Sequence, residues 1–179
     1  MDEMILRFIG TINGIMLHQY SLMGSIMQLD DFDLKILNLL QLSNRLSQRE
    51  ISDAVNLSAS AVNRRIAAME SAGIIHANVA LVDPAKVGRP ITIIVEVSVE
   101  SERLDLIDQV KARFMACKQV QQVYYVTGET DFVLIITVAD MSEYEGLTRQ
   151  LFFADENVKR FRTMVVMERS KQTLAVPVG

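Results

Sequence analysis

The chain has 179 residues, half of them hydrophobic and 22% charged, with a formal net charge of -4. That balance excludes a disordered polymer, which lacks the apolar content to offset chain entropy, and the length suits one ordinary domain or two small ones. The lone cysteine, Cys117, has no partner for an intramolecular disulfide and no C-x-x-C neighbour, so no oxidising compartment is required and a buried, inert thiol is expected.

Residues 1–28, MDEMILRFIGTINGIMLHQYSLMGSIMQ, hold five of the ten methionines and three charges, Asp2, Glu3 and Arg7. A secretory signal needs a basic start and an unbroken apolar run. Here the start is acidic, and Asn13, His18 and Gln19 interrupt the run. A membrane span, at roughly 18 or more uninterrupted apolar residues, is not present either, and a cytoplasmic protein is expected. Residues 1–28 read as an N-terminal extension, with Met23 or Met27 as the working initiator. The competing reading is a short amphipathic helix that packs on a partner subunit.

Regular patterning begins at Leu29. In LDDFDLKILNLLQLS, Asp30 and Asp31 are N-cap candidates, Asp33 adds negative charge at the positive end of the helix dipole, and Phe32, Ile36, Leu39 and Leu40 recur at helical spacing. Ser47 stands three residues before Glu50, the spacing of a capping box, which predicts a second helix from about Gln48 to Val55. NLS makes a short turn, Ser58 caps a third helix, and Gly73 is placed to end it in the left-handed conformation. Two helices joined by so short a turn form a helix-turn-helix.

On the third helix, Val62, Ile66 and Met69 share one narrow stripe, while Ser60, Asn63, Arg64 and Ala67 point away from it. An apolar underside with small and polar residues at the N-terminal half is the layout that reads base edges in a major groove. The candidate DNA-binding set is therefore Gln48 and Arg49 on the second helix with Ser58, Ala59, Ser60, Asn63, Arg64 and Arg65 on the third. Arg64 is expected at base edges and Arg65, angled to the flank, at phosphate. Residues 29–90 carry seven basic and seven acidic side chains and are neutral, but Arg45, Arg49, Arg64 and Arg65 cluster around the turn. That local field is modest, so useful affinity for double-stranded DNA calls for a dimer or larger assembly.

Beyond Gly73, IIHANVALVDPAKVGRP reads as a small hairpin, a wing over residues 74–82, with His76 either at phosphate or an ordinary exposed imidazole. Asp83-Pro84 and Gly88-Arg89-Pro90 mark a linker at 83–90. The stretch 91–173 then alternates strand and helix patterns: ITIIVEVSVE, a helix capped by Ser101 with Leu104, Ile107, Val110 and Phe114 on one face, VQQVYYVT and FVLIITVA joined by GETD, the helix MSEYEGLTRQLFF, and NVKRFRTMVVMER. This βαββαβ order is the ferredoxin-like plan, an antiparallel sheet with helices on one face, followed by a tail at 174–179. Ile94, Tyr125, Val133 and Val165 need partners on whichever face they occupy, and sheet-to-sheet dimerisation supplies them. The fold class is thus α+β, an N-terminal winged helix-turn-helix at 29–82 joined to a ferredoxin-like domain.

The strings LDDFDLKILNLLQLSNRLSQREISDAVNLSASAVNRRIAAMESAGII, DPAKVG and VTGETDFVLIITV resemble the Lrp/AsnC family of transcriptional regulators, over Leu29 to about Thr173. The resemblance implies a DNA-binding domain joined to an amino-acid-sensing (RAM) domain, in dimers that assemble further, commonly to octamers. It also implies a small effector, usually an amino acid, near the Gly-x-x-Asp loop, here Thr127, Gly128, Glu129, Thr130 and Asp131. Gly128 would admit close backbone approach, and Glu129 or Asp131 would accept an ammonium group. By spacing alone, GETD reads first as a hairpin turn whose Asp131 bonds its own backbone, and it is the resemblance that favours the effector role. An enzyme like the siroheme decarboxylases, which share this architecture and use histidine in the sensing domain, is the rival class. His18 and His76 both lie outside residues 91–179, and no nucleophile-base pair, metal cluster or cofactor motif appears, so no cofactor and no catalysis are expected. A third reading is an interaction protein that no longer responds to a ligand.

Overall fold

The computed structural model describes residues 27–179, which divide into two compact units. One contains the described residues up to Val79 together with Thr173–Gly179, and the other is Ala80–Gln172. The readings offered for residues 1–26 lie outside the described residues. Met27 packs at the margin of the first unit's core.

The first unit is built on three helices, α1 (Asp31–Leu42), α2 (Gln48–Val55) and α3 (Ala59–Ser71). Each starts where a side chain can satisfy the orphan N–H groups of a first turn. Asp30 Oδ1 accepts from the N–H of Phe32 and Asp33 at 2.9 and 3.0 Å, and Asp33 Oδ2 accepts from Asp30 N–H at 3.1 Å. Ser47 and Glu50 form the same reciprocal pair at α2, and Ser58 Oγ accepts from Ala61 N–H at α3. Caps of this kind contribute about 1 kcal/mol each. Asn56 ends α2 in the left-handed region at φ 56°, which Asn tolerates better than most residues. Gly73, at φ 70°, ends α3: Gly73 N–H donates to Glu70 O and Ile74 N–H to Met69 O, the two bonds of a Schellman motif.

Ile36, Leu37, Ile51, Val55, Val62 and Met69 form this unit's core. Leu37 takes the place expected of Phe32, which is 37% exposed, and its ring lies 5.5 Å from the Arg65 guanidinium carbon. Leu39, Leu40 and Ile66 are partly buried against the same cluster. The expected hairpin does not form, because residues 74–90 carry no strand. Val79, Leu81 and Val82 are 60%, 74% and 60% exposed, and a two-stranded ribbon with no surface to pack on is at best marginally stable.

The second unit opens with a short 3₁₀ turn, Ala85–Val87, and continues with β1 (Ile91–Val99), α4 (Leu104–Ala116), β2 (Val120–Tyr125), β3 (Phe132–Val138), α5 (Met141–Thr148), a π-helical turn at Arg149–Phe153, and β4 (Val158–Val165). The strands form one antiparallel sheet in the order β2-β3-β1-β4, as the ferredoxin-like plan requires. One face is closed: Ile93, Val95, Val97, Phe132, Leu134, Ile136 and Val138 meet Ile107, Val110 and Phe114 of α4 and Tyr144, Leu147, Leu151 and Phe152 from α5 and the turn after it. Phe114 packs edge-on against Phe132 and Phe152, with centroids at 5.6 and 5.9 Å. Ile94 and Val133 lie on the opposite face, whereas Tyr125, opposite Phe132, and Val165, opposite Ile93, sit on the helix side at the sheet margins.

Three details depart from expectation. Ser101 does not cap α4: its N–H donates to Asn157 Oδ1 and its C=O accepts from Asn157 Nδ2, and Arg103 takes the cap position with no side-chain bond. Leu104 is 80% exposed, since it stands at the first turn ahead of the covered stretch. Cys117 is half-buried rather than buried, and its thiol donates to Gln119 Oε1 at 3.4 Å.

Glu143 binds four parts of this unit together. Its carboxylate accepts from Ala139 N–H at 2.8 Å, from Gln119 Nε2 at 2.9 Å and from Arg89 at 2.7 and 3.0 Å. The Ala139 N–H, then Arg89 and Gln119, hold its pKa well below the usual 4.5, at about 2. Because the folded pKa is depressed, the stability it contributes is complete above pH 4.5 and disappears as pH falls through about 2. Glu143→Gln should therefore flatten the fall in urea stability between near-neutral pH and pH ~3. Phe114→Ala should cost about 3–5 kcal/mol of unfolding free energy in the same titration, the range for emptying a closed aromatic site.

Candidate DNA-reading face and effector loop

The α3 helix turns Val62 and Met69 into the core and leaves Ala59, Ser60, Asn63 and Arg64 exposed. Gln48, at the first turn of α2, donates from Nε2 to Asn63 Oδ1 at 2.9 Å, so the two helices present one continuous polar surface. Ser58 and Ser60 share a hydroxyl bond at 3.1 Å at the start of α3. Among the described residues Arg45, Arg49 and Arg64 enter no ion pair and are exposed, leaving their charge available to an anionic partner.

Arg65 is placed otherwise. Its Nη1 lies 2.7 Å from Asp33 Oδ1 and 2.9 Å from Asp30 Oδ2, over the Phe32 ring. The Asp33 side chain is 3% exposed, so its carboxylate would be an uncompensated buried charge without this guanidinium. Those bonds, the one to Asp33 foremost, hold Arg65 even more firmly protonated than a free arginine. Arg65 thus welds α1 to α3, a setting that its neighbour Arg64 does not share.

The loop at 127–131 joins β2 to β3. Gly128 adopts φ 131°, which only glycine takes without strain, with open space where a side chain would stand. The Asp131 carbonyl closes the turn by accepting from Val126 N–H at 2.9 Å, but the side chain does not bond within it. Its Oδ2 accepts from Val99 N–H at 2.8 Å and its N–H donates to Val97 O, at the irregular end of β1 where register shifts between Ser98 and Val99. Thr130 Oγ1 donates to Val97 O at 2.8 Å. Asp131 and Thr130 therefore brace the loop, and Glu129 is left exposed. A cleft of about 400 Å³ opens beside it, lined by Glu96, Ser98, Glu129, Thr130, Arg160, Phe161 and Arg162. Of the predicted loop residues Glu129 and Thr130 reach the cleft, while Thr127, Gly128 and Asp131 do not line it.

Sequence reasoning missed Ser98, Glu96, Arg160 and Arg162. Strand alternation puts 96 with 98 and 160 with 162 on one face each. Only the pairing of β1 with β4, Glu96 opposite Arg162 and Ser98 opposite Arg160, brings all four together. Arg162 Nη2 lies 2.6 Å from Glu96, and Arg160 Nε donates to Ser98 Oγ at 3.2 Å.

A helix-turn-helix with an exposed polar reading helix, followed by a ferredoxin-like unit with a polar cleft, defines a regulator that pairs a DNA-binding domain with a ligand-binding one. Comparison with known proteins agrees: the Lrp/AsnC ligand binding domain matches residues 92–176, and a winged helix-turn-helix DNA-binding family matches residues 29–76. An HTH-type transcriptional regulator of Sinorhizobium fredii is 47% identical over 85% of this chain and 90% of its own length. The leucine-responsive regulatory protein of Haemophilus influenzae is 34% identical over 81% of this chain and 87% of its own. Among solved structures, a transcriptional regulator of Neisseria meningitidis in complex with L-methionine superposes with a TM-score of 0.79 at 29% identity, over 84% of this chain and 97% of that one. The chain belongs to the Lrp/AsnC family of helix-turn-helix transcriptional regulators. No helix among the described residues is long and apolar enough to cross a membrane.

The different settings of the two arginines give a stability test. Asp33→Ala leaves Arg65 only its bond to the more exposed Asp30 and should cost about 1.5–3 kcal/mol in urea unfolding, the range for a charge-assisted bond. Arg64→Ala should stay within about 0.5 kcal/mol of the parent, as an exposed substitution does. Equal losses for the two would contradict the assigned roles.

Proposed function

We propose that this regulator binds double-stranded DNA sequence-specifically as a dimer or larger assembly, and that a small effector, an amino acid, shifts its assembly or its DNA binding. The observation that carries the reading is the outward set of Ser60, Asn63 and Arg64 on α3, continued by Gln48 on α2, with Arg49 exposed at the next position. Arg64 meets base edges in the major groove, Arg49 meets phosphate, and two copies of α3 address successive grooves of a roughly palindromic site. The sheet face that no helix of the described residues covers, with Ile94, Val133, Ile135 and Met164 half-buried along its middle, supports pairing of two sheets, with further assembly towards an octamer.

In the effector cleft, Arg160 has guanidinium nitrogens beyond its bond to Ser98, and Glu129 has no ion-pair partner among the described residues. A zwitterion can place its carboxylate on the first and its ammonium on the second, with Thr127 and Gly128 allowing the loop to close over it. The relatives' names as regulators support a non-catalytic, cytoplasmic role.

The deciding experiment is a salt titration of the purified chain on its own upstream DNA, with and without the twenty amino acids. Retention that falls steeply with salt and changes with one amino acid supports the reading; absence of binding at low salt defeats it. In that assay Arg64→Ala should lose about 1–3 kcal/mol and blur sequence preference. Arg160→Ala should weaken the response to the effector by roughly 10-fold or more, without moving DNA affinity in its absence.

A further inference from the structure

The chain leaves the helical unit after Val79, builds the sheet unit over Ala80–Gln172, and comes back: Thr173–Gly179 belong to the helical unit. Their anchorage is specific. Gln41 on α1 treats the returning chain as a neighbouring strand would, its Nε2 donating to Val176 O at 3.0 Å and its Oε1 accepting from Val176 N–H at 2.7 Å. Asn38, three residues earlier and so on the same helical face, donates from Nδ2 to Val178 O at 3.1 Å. Val178 packs against the core cluster of this unit, and Gly179 lies beside Leu34, four residues before Asn38. Pro177 suits the groove. It biases Val176 towards extended backbone, and its missing N–H falls between the two residues that bond α1, where nothing asks for a donor.

These bonds join residues 135 to 140 positions apart and use both ends of the Gln41 amide. We propose that Leu34, Asn38 and Gln41 form a docking face for an extended peptide and that residues 174–179 are its occupant, a strap that ties the helical unit to the sheet unit at both ends of the latter. Helix α1 also carries Asp33, which holds Arg65 of α3. The state of the strap therefore acts on the helix that braces the reading helix, and an event in the sheet unit reaches α3 along β4 and the tail as well as through the linker.

The test is hydrogen exchange on the full chain, parent against Gln41→Ala and Val178→Asp, which remove the amide clamp and the apolar anchor separately. The parent should protect the amides of 173–179 by about 10-fold or more over a free peptide, and both variants should lose that protection while sheet-unit amides keep theirs. Free-peptide exchange in the parent, or protection that survives both substitutions, overturns the strap. The reach into α3 rests on the DNA-binding reading: with the strap released, DNA affinity at fixed salt should shift by about threefold or more. Unchanged affinity in variants with a released tail overturns that reach, whereas a parent that binds no DNA defeats the functional reading and leaves the strap to be judged by exchange.

Discussion

A charge or polar group taken out of water must find a partner within the protein, and much of this molecule's order follows from how three carboxylates meet that demand. Asp33 is buried in the first turn of α1, where it can accept one backbone N–H but still requires a cation. Arg65 supplies it, and in doing so fixes the rotation of α3 against α1. Once that rotation is set, the neighbouring Arg64 can only point outwards. The reading face is a consequence of the core charge beneath it.

The sheet unit repeats the theme. From α5, Glu143 gathers donors from β2's approach, β3's end and the residue that enters β1, so one side chain closes the corner where four segments meet. Asp131 performs a similar service at the opposite end of β1. There the register slips, Val99 N–H is left without a regular ladder partner, and Asp131 accepts it. The loop after Gly128 is thereby braced at its base and open at Glu129, an arrangement suited to holding a small ligand against a fixed wall. The family resemblance implies an effector near this loop. The geometry distinguishes, within it, residues that support from residues that can touch.

Between the two units the chain itself is the coupling element. The linker carries an exposed apolar stretch at Val79–Val82 and is held beyond it by the pairs Asp83–Arg169 and Arg89–Glu143, while the tail returns to α1 through Gln41 and Asn38. A covalent linker and a hydrogen-bonded tail give a ligand-binding and a DNA-binding unit two routes by which a change in one can bias the other, since coupling needs only a differential effect on two states.

Local rules were legible in the sequence alone. Capping at Asp30, Ser47 and Ser58, the left-handed stop at Gly73, the outward set on α3 and the βαββαβ order all follow from short-range backbone chemistry and periodicity, which any window of a few residues contains. Tertiary structure decided what depends on residues far apart. Arg64 and Arg65 look alike in sequence, and only the position of Asp33, 32 residues away, separates them. The Ser101 backbone is held by Asn157 while its hydroxyl reaches only Arg103 N–H, the hairpin expected after Gly73 found nothing to pack on, and Arg160 joined the cleft through strand pairing. The tail, six residues without periodicity, gave no sign of its destination. Side-chain amides bond to whatever backbone the fold delivers, and the fold alone delivers Val176 to Gln41.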